Sequence, residues 1–205
     1  MDFNFLTSGL IIGFSIAAPI GPIGVLCIRR TLAEGGLNGL VSGLGAATAD
    51  AIYGCIAAFG LTFIADTLVK QQAWLHLLGG AFLIFLGVRT LLAKPTEKSS
   101  IGKRRGLMHA YGSTFFLTLM NPVTILSFVV IFAGIGLGSA FADYSSATLL
   151  VFSVFTGSAL WWLILSGTVS LLRRKITPNA LRWINRFSGA IILTFGLFVL
   201  AGLFV

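Results

Sequence analysis

The chain has 205 residues, 57% of them hydrophobic and 10% charged, with a formal net charge of +8 and a mean hydropathy of +0.99. Soluble domains carry about a quarter charged residues, so this composition excludes an ordinary soluble fold and points to an all-α, multi-pass integral membrane protein. Two cysteines and two scattered histidines supply no metal-ligand cluster, no cofactor motif is present, and no nucleophile with a base marks an enzyme.

The N-terminus lacks a basic n-region, Asp2 is acidic, and the apolar run from Phe5 is too long for an h-region, so it reads as a span and not a cleaved signal. Spanning needs about 20 apolar residues. Six segments meet that length: 5–28, 40–64, 74–92, 111–135, 147–172 and 187–205. Each is apolar all round, as expected of helices in lipid or in a bundle.

The first span contains AAPIGPIGVL, which breaks itself near its middle. Pro19 and Pro22 remove backbone donors, and Gly21 allows a close approach or an unwound turn. The second span carries Asp50 near its middle, the one acidic residue in any expected span. A charge there costs about 2.5–3.5 kcal/mol on insertion scales, and such residues usually face a bundle interior or a cavity. Asp50 can bind an ammonium group, carry a proton, or do both. Upstream of it, Gly39 and Gly43 form a GxxxG step that suits a close helix contact, internal or between copies. In the fourth span Asn121–Pro122 makes a second break, and Asn121 offers both a donor and an acceptor. In the fifth, Trp161 and Trp162 lie mid-span and, with Tyr53, are candidate cavity-lining residues. Trp74, Tyr144 and Trp183 suit interface anchors.

The loops alternate in charge. Arg29 and Arg30 follow the first span; Lys94, Lys98, Lys103, Arg104 and Arg105 follow the third; Arg173, Arg174, Lys175, Arg182 and Arg186 follow the fifth. Lys70 alone falls on the other side, with Asp2, Asp66 and Asp143. Basic loops mark the cytoplasmic face, so both termini are expected outside. The basic residues then read as topology signals touching membrane lipid, without nucleic acid.

Two halves of the chain match in order. GPIGVL at 21–26 pairs with NPVTIL at 121–126, and GGAFLIFLGV at 79–88 with SGAIILTFGL at 188–197. Each half would hold three helices, so the second enters the membrane upside down. The expectation is a single transporter domain over 1–205: repeat one at 5–92, a basic cytoplasmic loop at 93–110 and repeat two at 111–205. Inverted 3+3 repeats are a transporter architecture that places substrate where broken helices meet. There, half-helix ends supply partial charges suited to a zwitterion.

Cys27 and Cys55 raise a second reading, a transmembrane thiol–disulfide carrier. Cys55 is about fifteen residues into its span, roughly 22 Å from the end where Cys27 lies, against the about 7 Å a disulfide needs. A non-transporting membrane scaffold is a third reading, and it leaves Asp50 and the paired breaks without a role.

PIGPIGVLCIRRTLAEGGLNGLVSGLGAATADAIYG (19–54) and TFFLTLMNPVTILSF (114–128) resemble the lysine-exporter (LysE/RhtB-type) translocators of bacteria. Length, helix count and the basic central segment agree. Family members commonly read Asn-Pro-Lys at the second break, where this chain has Val123. The resemblance implies a bacterial inner-membrane exporter of amino acids or related solutes, driven by protons or membrane potential. Its motif residues fall on Pro19, Gly21, Pro22, Asp50, Asn121 and Pro122. A homo-oligomer is compatible with this.

Overall fold

The computed structural model describes residues 2–19, 21–58, 71–93, 103–121, 124–125, 127–128, 144–173 and 177–202. Seven helices organise them: α1 (Asp2–Ala17), α2 (Pro22–Glu34), α3 (Gly36–Ala58), α4 (Gln72–Leu91), α5 (Lys103–Leu119), α6 (Tyr144–Leu172) and α7 (Pro178–Ala201). Four of these, α3, α4, α6 and α7, contain stretches long and apolar enough to cross a membrane. The α1–α2 pair, bent by 79°, brings the number among the described residues to five. The expected span at 111–135 begins inside α5. Most of its second half lies outside the described residues, as do Pro122 and Lys70.

The first break is where the prolines put it. The α1 ladder ends with Ala18 N–H donating to Phe14 at 2.9 Å, and Gly21 N–H turns back to the Pro19 carbonyl at 2.9 Å. Helix α2 then restarts at Pro22, the first helical position, where the fixed φ of proline fits and its missing donor would have no partner anyway. The second break follows Leu119, with Met120 and Asn121 outside the helix.

Three boundaries differ from the sequence reading. Helix α2 runs on to Glu34, so Arg29 and Arg30 are helical, not in a loop. What stops it is Gly35, at φ 114°, a region few L side chains adopt. Helix α5 begins at Lys103, inside the segment expected to be loop. Its buried face repeats at Ala110, Ser113, Thr114, Leu117 and Thr118, and that three-to-four spacing carries the helix beyond the apolar stretch. Helix α7 starts with Thr177, whose hydroxyl accepts from Ala180 N–H at 3.2 Å, followed by Pro178. This cap places Arg182 and Arg186 on the helix, not in the preceding loop.

Helix α3 packs against both α5 and α6, α1 packs along α6, α4 pairs with α7, and α2 touches α3, α6 and α7. Glycines set the closest approaches. A Cβ on Gly45 would collide with the Tyr111 carbonyl, and one on Gly157 with the Leu10 carbonyl. In the α4–α7 seam, Gly196 meets the Gly80 backbone and Gly189 meets the Gly87 backbone. Gly39 meets Thr31 and Ser166, and Gly43 meets Trp162, so the GxxxG step of α3 is an internal contact. The exposed large apolar residues, including Ile11, Phe85, Phe152, Leu163 and Phe198, form the outer surface expected against lipid.

Candidate functional site

Asp50 is buried, 3% exposed, on the face of α3 that meets α6. The Ser158 hydroxyl of α6 donates to its Oδ2 at 2.7 Å. One turn further along α3, the Tyr53 hydroxyl donates to the Leu119 carbonyl, the last residue of α5 before the break. Leu119 ends the α5 helix, where terminal carbonyls lose their intrahelical partners, and Tyr53 supplies a donor to it. The acid of α3 and the broken end of α5 are thereby one helical turn apart through a single side chain. Tyr53 also packs its ring 5.5 Å from that of Phe128.

Pro22 and Asn121, drawn from the two breaks, line the same cavity, together with Ile23, Gly79, Leu83, Leu117, Met120 and Val199 among the described residues. Its free space for the centre of a water molecule is ≈ 10 Å³, room for about one water and too little for an amino acid. Helix α2 starts at this cavity, with Gly21 as an extended N-cap and no side-chain cap on its amino end. That end carries the positive pole of the helix. Of the other candidates, Pro19 is exposed, while Gly21 is half-buried beside Pro22. Trp162 is buried against Gly43, and its indole N–H has no hydrogen-bond partner among the described residues. Trp161 is half-buried, edge-on to Phe14 at 5.3 Å. Neither tryptophan lines the cavity at the breaks, and neither does Asp50.

Sequence reading missed the side chain with the most hydrogen bonds among the described residues. Arg30, 4% exposed, sends Nη1 to the Ser42 hydroxyl at 2.9 Å, the Ala110 carbonyl at 2.9 Å and the Thr114 hydroxyl at 2.8 Å. Its Nη2 donates to the Ser113 hydroxyl at 2.7 Å. Beside it, Arg29 Nε donates to Asn185 Oδ1 at 3.1 Å and its guanidinium lies 3.7 Å from Glu34. Arg173 Nε reaches the Leu32 carbonyl at 3.2 Å. The second half of α2 is thus fastened to α3, α5, α6 and α7 by arginines. Arg89 completes the cluster, 3.3 Å from Nε2 of His109. Partial burial, then the Arg30 and Arg89 guanidinium groups, hold His109 below the usual histidine range, with Glu34 opposing. His109 therefore stays neutral at physiological pH and can accept from Arg89. A signal was present: Ser42, Ser113 and Thr114 are hydroxyls in otherwise apolar helices, near an arginine pair that no proline separates from the preceding helix.

Cys27 is buried and Cys55 half-buried, both as free thiols. Cys27 sits among Leu26, Ala46, Ala47 and Trp162 in the core, as a small packing residue does.

The family model for LysE type translocators matches residues 14–202. The chain is 30% identical over 200 residues to YcgF of Bacillus subtilis (strain 168), whose name proposes amino-acid efflux, covering 95% of this chain and 94% of that one. It is 26% identical over 191 residues to the uncharacterized membrane protein slr1627 of Synechocystis sp., covering 90% of each. It is 23% identical over 225 residues to the lysine exporter LysE of Corynebacterium efficiens, covering 93% of this chain and 95% of that one. No solved structure matches the chain.

Proposed function

The chain belongs to the LysE type translocators, and from that premise we propose that it exports amino acids or related small zwitterions across the bacterial inner membrane. The observation that carries this reading is the buried Asp50–Ser158 bond. It joins α3 to α6, the corresponding helices of the proposed halves, through a buried acid. In export, Asp50 takes the substrate ammonium from the cytoplasmic side and gives up its proton there. After the substrate leaves outside, the carboxyl collects a proton from that side and carries it back. Each cycle moves one substrate out and one proton in, so the proton gradient or the membrane potential drives it. The uncapped amino end of α2 and the amide of Asn121 favour the substrate carboxylate. The ≈ 10 Å³ cavity between them corresponds to a closed state that opens when the halves move.

The same proposal includes a 3+3 inverted repeat with both termini outside. Its support is the pairing of contacts. Gly45 against Tyr111 and Gly157 against Leu10 are one contact made twice, as are Gly80–Gly196 and Gly87–Gly189. An axis in the membrane plane relating the two halves generates such pairs. A thiol carrier is disfavoured, because Cys27 is sealed in the core.

Efflux from cells loaded with single amino acids tests the activity, with export of at least one above the empty-vector rate as the expected result. An unchanged profile across the panel would sink the export reading. Single cysteines at Lys70 and Lys98, introduced without Cys27 and Cys55, test the topology. An impermeant thiol reagent should label Lys70→Cys alone in intact cells, and labelling of Lys98→Cys would overturn both orientation and repeat.

A further inference from the structure

A buried arginine normally has a carboxylate. Arg30 has none among the described residues: Glu34 pairs with Arg29, and Asp50 takes its hydrogen bond from Ser158. Its four bonds all run to neutral oxygens, through Nη1 and Nη2, while Nε makes none among the described residues. Nη1 shares two hydrogens among three acceptors, and Nη2 uses one of its two. A guanidinium has five N–H donors in a fixed fork. The unused Nε–H and the remaining Nη2–H therefore belong to a fork whose natural complement is a carboxylate. Glu34, Arg29 and Arg89 all act on it: the two arginines add to the positive potential at this end, and Glu34, paired with Arg29, opposes it.

The surroundings continue toward the breaks. On the buried face of α5, Ser113 and Thr114 hold Arg30, Thr118 lies one turn on, and Asn121 lies three residues beyond at the cavity. The Thr118 hydroxyl is buried with no hydrogen-bond partner among the described residues, as is the Ser166 hydroxyl near Thr31. Buried hydroxyls are rarely left without a partner. The Thr118 hydroxyl, between Arg30 and the α5 break, marks a path that is polar but collapsed in this conformation, while the Ser166 hydroxyl lies on the other side of Arg30, away from the breaks.

We propose that Arg30 is a carboxylate-binding station on the cytoplasmic approach, which takes the α-carboxylate of the substrate before the ammonium reaches Asp50. This rests on the export reading for the identity of the ligand. The two charges act in sequence. Ser42, which holds Arg30, and Asp50 are eight residues apart on α3, about 12 Å along the axis. The two charges of an α-amino acid lie within one residue, about 3.8 Å, so one molecule cannot reach both. On entry the anion takes the unused Nε–H and the remaining Nη2–H of Arg30, and the Thr118 hydroxyl receives the ligand on its way to Asn121.

The test uses the full chain in detergent, its thermal midpoint followed against each standard L-amino acid and, for every one that protects, against its α-amide. The wild type should respond to the acid at a concentration lower by about tenfold or more than to the amide, the equivalent of about 1.4 kcal/mol. In Arg30→Gln the gap between the two half-saturating concentrations should narrow, leaving the part set by the α2 amino end. Arg30→Lys, which keeps a charge without the fork, should hold part of the preference. Asp50→Asn should keep the acid-over-amide preference in full. An undiminished preference in Arg30→Gln, or a wild type that no amino acid protects, overturns the station. If Arg30→Gln does not fold, a wild-type response in Arg30→Lys to the acid does the same. Acid-selective protection without export in the loaded-cell panel would sink the export reading and leave the carboxylate site standing.

Discussion

Asp50 and Arg30 are two buried charges held in opposite ways. The acid has one hydrogen-bond partner among the described residues, a serine on α6, whereas the cation has four oxygens from α3 and α5. A charge with few partners is poised to exchange them, and a charge with many is fastening helices together. On the proposals above, the difference separates their roles at rest: Asp50 awaits a ligand, while Arg30 holds one end of the bundle together.

The largest effect expected is on transport through Asp50. Asp50→Asn keeps size and hydrogen bonding but cannot ionise, so export should fall to background at normal membrane abundance. Asp50→Glu should retain partial export with an altered pH response. Wild-type export in Asp50→Asn would break the comparison at its first term. Next comes stability through Arg30. Arg30→Met leaves the Ser42, Ser113 and Thr114 hydroxyls without this donor, at about 1 kcal/mol or more each, while the Ala110 carbonyl keeps Thr114, so the resistance of the purified protein to denaturation should fall by about 3 kcal/mol or more. A midpoint like that of the wild type would show that Arg30 fastens nothing.

Smaller effects sharpen the contrast. Ser158→Ala removes the one hydrogen bond to Asp50 among the described residues. A loss of about 1.5–3 kcal/mol would mean that the acceptor is charged in the resting state, and a loss near 1 kcal/mol that it is neutral, both read from denaturation midpoints. Tyr53→Phe removes the donor to the Leu119 carbonyl and should cost about 1 kcal/mol. If export is slowed more than stability is lowered, the link between the Asp50 turn and the α5 break is functional.

Much of this was legible in the residues. Asp50 stood out because an acid in an apolar span has few uses that do not involve a ligand or a proton. The break before Pro22 was legible because proline fixes it locally, independent of packing. Ser158 was not, since a serine in a membrane helix ordinarily bonds its own preceding turn, as Ser153 does to Leu149 at 2.7 Å. Only tertiary packing aims it at Asp50. Arg30 was misplaced for a boundary reason. Hydropathy ends the span at residue 28, but the backbone continues until Gly35 turns it. A few residues decide whether an arginine is a topology signal in water or a fastener in the bundle.

The spacing of the Arg30 bonds also sets an order on how the chain is made. One partner, Ser42, lies 12 residues downstream, but Ala110, Ser113 and Thr114 lie 80, 83 and 84 residues away. At roughly 5–20 residues per second, the ribosome delivers them about 4–17 s after Arg30. During that interval the guanidinium has one of its four oxygens, so α2 cannot settle between its neighbours until α5 emerges. The first broken helix to be synthesised is thereby among the last to find its place.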